Sequence, residues 1–147
     1  MSEQFPLSGV IGIVADSCAQ VQLAAQEKLS CVEVRADLLL SNGVSLDQLF
    51  ATVRAACAQD LGCLFTLRHP THGGTFDGSE AERVQLNQRA LEAGADVVDA
   101  EWGTGAARLL LAAGAPVVLS HHDFAAMPST RELAELTQTV GECSIFV

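Results

Sequence analysis

Lysine is almost absent: Lys28 stands alone, and eight basic residues face 18 acidic ones for a net charge of −10. Attachment to phosphate backbones or anionic membrane surfaces rests on clustered lysine and arginine, so no nucleic-acid partner and no membrane partner are expected. Long apolar runs are missing too. Stretches such as Leu109–Ala113 and Ala115–Leu119 fall far short of the roughly 18 residues needed to cross a bilayer. Met1–Gly9 lacks a basic segment ahead of an apolar core, so no secretory signal is expected. The five cysteines, Cys18, Cys31, Cys57, Cys63 and Cys143, include no C-x-x-C pair. An odd number without a signal reads as reduced, mostly buried thiols in a cytoplasmic protein. No metal-ligand spacing occurs, and neither a metal nor a cofactor is expected.

What the sequence does contain is an alternation. Apolar residues make up 49% of 147, enough for one domain with one core over residues 1–147. Short β-branched runs at Val10–Val14, Cys31–Val34, Cys63–Leu67, Asp96–Ala100, Pro116–Leu119 and Ser144–Val147 read as buried parallel strands. Helical periods lie between them at Ala19–Leu29, Leu46–Asp60, Ala81–Ala93, Gly105–Ala113 and Thr130–Val140. Ser45 with Gln48, Ser79 with Glu82 and Ser129 with Glu132 have capping-box spacing. Gly62, Gly94, Gly114 and Gly141 fall where a left-handed residue would end a helix. Repeated βα units imply a parallel α/β sheet. A closed (β/α)8 barrel typically needs 200 or more residues, so a whole one is excluded.

An open doubly wound sheet gathers its chemistry at one switch point, whereas a barrel collects side chains from the C-terminal ends of many strands. Here ionic residues follow almost every strand: Glu33, Arg35 and Asp37; Arg68; Asp99 and Glu101; His121, His122 and Asp123. Residues i and i+2 of a strand share a face, so Glu33 pairs in direction with Arg35, and Asp99 with Glu101. Buried charges of this kind are costly unless partnered. The distribution favours an incomplete barrel of about six strands.

Each group has two readings. Glu33, Arg35 and Asp37 are a structural ion-pair ladder or a binding set. Arg68, before the loop His69–Gly78, is a fork for a carboxylate or a surface arginine closing that loop. Gly73-Gly74 is an anion nest or a turn. Of the adjacent His121 and His122 only one can face a central site, and imidazole titrates nearest neutral pH. Together these residues suggest a small anionic substrate handled by proton transfer.

Four segments in order, CVEVRADLL, FTLRHPTHGGTFDGSEAER, ADVVDAEW and VVLSHHDFAAMPS, resemble the type I 3-dehydroquinate dehydratase family, the Schiff-base-forming lyases of the shikimate pathway. They are similar to that family's E-x-R-x-D strand, its arginine strand end with a glycine-rich loop, its D-x-E strand and its S-x-H-D-F segment. The resemblance implies conversion of 3-dehydroquinate to 3-dehydroshikimate plus water in aromatic amino acid biosynthesis. It implies His122 as the proton-transferring histidine, Glu33, Arg35 and Arg68 as substrate contacts, and Asp99 and Glu101 as their support.

Two departures from the family pattern stand out. His72 occupies the place of the glutamate that orients the catalytic histidine, and it cannot supply the same negative charge. The imine-forming lysine belongs on the sixth strand, near Phe146 when counted from Gly141, or at or just past the last residue when counted from His122. No lysine occurs there. The expectation is therefore a partial barrel, about the first two-thirds, truncated and inactive as a dehydratase alone. Two alternatives stay open. One is a non-catalytic half-barrel that self-associates into a homodimer or binds a partner through its open edge. The other is a different lyase or isomerase that uses His122 and His72 without an imine.

Overall fold

The computed structural model describes residues 7, 9–140 and 145–146, with the backbone alone for 139, 140, 145 and 146. Among the described residues, six parallel strands lie in the order in which the chain makes them. They are β1 (Ile11–Val14), β2 (Cys31–Arg35), β3 (Gly62–Thr66), β4 (Val97–Glu101), β5 (Val117–Ser120) and β6 (Ile145–Phe146). Sequential order without a switch point is barrel topology. The sheet is nevertheless not closed, because β1 and β6 are its two ends. Helices α1 (Gln20–Gln26), α2 (Ala36–Ser41), α3 (Leu46–Ala58), α4 (Glu80–Glu92), α5 (Gly105–Ala112) and α6 (Thr130–Val140) join the strands. No helix among the described residues is long and apolar enough to cross a membrane.

All three capping boxes form: Ser45 with Gln48, Ser79 with Glu82, and Ser129 with Glu132. Each satisfies two otherwise orphaned donors and fixes where its helix begins. Gly94 and Gly114 take φ of 109° and 71°, as expected of residues that end helices. Gly62 does not: it opens β3, and Asp60 is the left-handed residue, at φ 55°. Gly141 and Cys143 lie outside the described residues. Helix α2 was not anticipated, since Ala36-Asp37-Leu38-Leu39-Leu40-Ser41 is too short to show a period. The cysteine expectation holds for Cys31 and Cys63, which are buried, but Cys57 is exposed and Cys18 half-buried.

The two faces of the sheet carry different cores. Val32 and Val34, Cys63 and Phe65, Val98 and Ala100, and Val117 and Leu119 point outward into one large cluster with the helices. The inner face holds a small apolar layer, Leu64, Val97 and Val118, with Leu7 packed against it. Above that layer, toward the C-terminal strand ends, the inner face turns polar. Each fully buried leucine or phenylalanine of the outer core contributes about 1.5–3 kcal/mol, and this packing is what fixes the strand ends. On β1, Ile11 and Ile13 share the inner face but stay 41% and 58% exposed, at the open edge.

Candidate active site

The polar layer is built by register. Arg35 on β2 lies beside Thr66 on β3, and Glu101 on β4 beside Ser120 on β5. Two residues further along the same alternation, past their strand ends, stand Arg68 and His122. Strand pairing thus brings Glu33, Arg35, Thr66, Arg68, Asp99, Glu101, Ser120 and His122 to one end of one face.

Glu33 Oε1 accepts the Thr66 hydroxyl at 2.8 Å and stands 3.9 Å from Arg68 Nη2. Arg35 does not pair with Glu33. Its guanidinium forks onto Asp37, Nε to Oδ1 at 3.0 Å and Nη2 to Oδ2 at 2.9 Å. The ladder expected across all three residues is therefore a single bidentate pair. Buried Asp37 also accepts the Thr75 amide at 3.2 Å, and its backbone carbonyl accepts the Thr75 hydroxyl at 2.8 Å. Arg35 and Asp37 thus anchor the loop after β3.

Asp99 accepts the Ser120 hydroxyl at 3.1 Å inside the sheet. Burial pushes its carboxyl up to about 7, against the opposing pull of Arg68 and of the Ser120 hydrogen bond. Glu101, fully buried, accepts the His69 amide at 2.9 Å with Oε1 and pairs with Arg83 through Oε2.

The glycine-rich loop is a turn folded on itself. A 3-10 turn, Pro70–His72, ends in Gly73 at φ 79°. The Gly74 amide donates to the His69 carbonyl at 3.0 Å and the Phe76 amide to the Arg68 carbonyl at 3.0 Å. A Cβ on Gly74 would lie 2.0 Å from that carbonyl oxygen, so the backbone approach requires glycine. This loop presents His72 to His122, ring centroids 5.9 Å apart and edge to face. Phe124 stacks on His122, at 6.2 Å. His121 points away to Trp102, 6.1 Å distant. Burial lowers the pKa of both His72 and His122. Arg68 lowers His122 further, and the charge of Glu101 opposes the shift in both. Nδ1 of each histidine and Nε of Arg68 are buried without a hydrogen-bond partner among the described residues.

All seven residues singled out from the sequence, Glu33, Arg35, Arg68, His72, Asp99, Glu101 and His122, lie at the C-terminal strand ends or on the loop behind them. Thr66 and Ser120 were missed, although each stands two residues before a named one and alternation would have found it. Arg83 was missed as well. With Asn87 and Ala90 it forms an i, i+4, i+7 stripe whose buried face the polar residues disguise.

The sequence pattern of the family described as Type I 3-dehydroquinase matches residues 10–144. The 3-dehydroquinate dehydratase of Dehalococcoides mccartyi is 37% identical over 97 residues, covering 63% of this chain and 44% of that protein. The 3-dehydroquinate dehydratase of Methanosarcina barkeri is 28% identical over 142 residues, covering 89% of this chain and 57% of that protein. The solved 3-dehydroquinate dehydratase of Enterococcus faecalis superposes with a TM-score of 0.74 at 23% identity, over 92% of this chain and 63% of that one. A 2,3-dimethylmalate lyase superposes at 0.62 with 8% identity, over 96% of this chain and 56% of that one, a likeness of fold alone. The chain spans about half the length of these two curated relatives.

Proposed function

Since this chain belongs to the type I 3-dehydroquinase family, we propose that its polar strand ends are the substrate-binding and proton-transfer part of a 3-dehydroquinate dehydratase. The observation that carries this reading is the convergence of Arg68, Glu33, Asp99 and the His72–His122 pair on one face. Arg68 takes the substrate carboxylate: its partner Glu33 is distant, and its Nε is unspent. Arg35 is committed to Asp37 and acts beside it rather than as a free fork. Glu33 and Asp99 face the substrate hydroxyls, with Asp99 able to donate as a neutral acid. His122, neutral at neutral pH, takes the proton from the carbon next to the ketone and returns it to the departing hydroxyl, which leaves as water. His72 and Glu101 support it.

Imine formation is implied by the resemblance, but no step here runs through Lys28. It sits between α1 and β2, at the N-terminal end of the sheet. A cytoplasmic setting and a single unit over residues 1–147 belong to the same proposal, supported by cysteine usage and by one continuous sheet. Calorimetric titration of 3-dehydroquinate tests the reading: saturable binding that disappears in Arg68→Ala supports it, and no binding at millimolar ligand overturns it. A second reading, self-association through the open edge, is favoured by the exposure of Ile11 and Ile13. Sedimentation that stays monomeric at all concentrations would remove it.

A further inference from the structure

The buried guanidinium of Arg83 is tied to both ends of the loop that carries His72, to one of them through Glu101. At one end it pairs with Glu101, whose other oxygen accepts the His69 amide at 2.9 Å. At the other, the Phe76 ring lies over it, 5.6 Å from centroid to guanidinium carbon. Arg83 is 1% exposed and Glu101 0%, and the pair spans from α4 to the end of β4. Two charges taken this far from water are tolerated only when geometry holds them together. Here the same geometry also fixes the entry and exit of a turn.

We propose that Arg83 is a positioning residue: through Glu101 and Phe76 it clamps the 69–76 turn and thereby sets His72 against His122. The clamp leaves Glu101 as the carboxylate on this pair. His72 itself brings no negative charge; His121, His69 and Arg83 favour its neutral imidazole, and Arg68, His72 and His121 favour that of His122. Glu101 opposes them, from β4 rather than from the loop. Arg83 and the His69 amide hold that carboxylate in place, one on each oxygen. The inference rests on the proposed function only for the use to which the histidine pair is put. The clamp itself is a matter of structure.

Nuclear magnetic resonance on the 147-residue chain tests it without substrate or turnover. An Overhauser contact between the His72 and His122 rings, together with slow exchange of the His69 amide, is expected in the unmodified chain. Absence of either overturns the proposal. In Arg83→Met the His69 amide should exchange at least about tenfold faster while the Phe65 amide of β3 is unchanged, with Arg83→Lys in between. Should Arg83→Met not fold, Glu101→Gln, the milder change of nearly the same shape, decides in its place. It should lower the titration midpoints of both His72 and His122. Unmoved midpoints, or unchanged His69 exchange in a folded Arg83→Met, would sink the clamp. Failure of 3-dehydroquinate to bind a chain whose clamp passes these tests would overturn the proposed function alone.

Discussion

His72 meets His122 edge to face, ring centroids 5.9 Å apart and planes 78° from parallel, although one side chain comes from a turn after β3 and the other from beyond the end of β5. Neither Nδ1 has a hydrogen-bond partner among the described residues, and burial favours the neutral form of both rings. The pair is therefore uncharged near neutral pH. This suits His122 to accept a proton and penalises the imidazolium that follows.

Replacing His72 by glutamate should reverse that penalty. A carboxylate at the same loop position would face His122 with the charge that an imidazole lacks, so the His122 midpoint in His72→Glu should rise by about one pH unit or more. Carbon-detected titration of the His122 ring reads it directly. A midpoint that stays put would mean that the turn does not bring residue 72 to bear on His122.

Asp99 makes stability fall as pH rises. Its carboxyl is pushed from 3.8 to about 7 in the folded chain, so between those values the folded state holds a proton that the unfolded state has released. Stability from this group is present in full below its unfolded pKa and is lost as pH climbs through the folded one. Asp99→Asn cannot titrate. It should gain on the unmodified chain by up to about 1.4 kcal/mol per pH unit across that window. Taking the difference cancels the opposite trend of His72 and His122, whose lowered pKa values make stability rise with pH toward 6.5. Urea unfolding of both chains near pH 5 and near pH 7 measures it. A constant difference would place Asp99 among ordinary, charged carboxylates.

Arg68→Ala separates binding from structure. The arginine stands 3.9 Å from Glu33, too far for a strong pair, and its Nε has no hydrogen-bond partner among the described residues, so its loss should cost about 1 kcal/mol of stability or less. Binding of a carboxylate ligand should weaken by about 1.5–3 kcal/mol, the range for a charge-assisted hydrogen bond. A large fall in melting temperature with unchanged binding would make Arg68 a loop closer instead.

Much of this arrangement was legible in the sequence because strand alternation and βα repetition are simple periods. Glu33, Asp99 and His122 fall on the inner face by counting in twos. The three hydroxyl caps fix the starts of α3, α4 and α6. What stayed hidden depends on contacts between distant segments. The partner of Arg35 could have been Glu33 or Asp37 by spacing, and only the turn of the chain into α2 decides for Asp37. Arg83 sits in a stretch of charged helix, and nothing local distinguishes it from exposed Glu80 or Glu82. Its burial follows from where α4 lies against β4.

The chemistry of the single lysine can be tested on its own. An imine needs a primary amine beside the substrate ketone, and reduction with borohydride would fix it as a permanent mass increase. Lys28 follows α1 with φ 57°, at the end of the sheet where strands begin, whereas Arg68 and His122 stand where strands end. Incubation of this chain with 3-dehydroquinate and borohydride should therefore leave the Lys28 peptide unmodified, even at ligand concentrations that saturate the Arg68 site. Lys28→Arg should bind the same ligand unchanged. Any adduct at the terminal amine would persist in that variant and identify itself. A reduced adduct on Lys28 that vanishes in Lys28→Arg would bring the amine to the substrate, and the proton transfer assigned to His122 would have to be rebuilt around it.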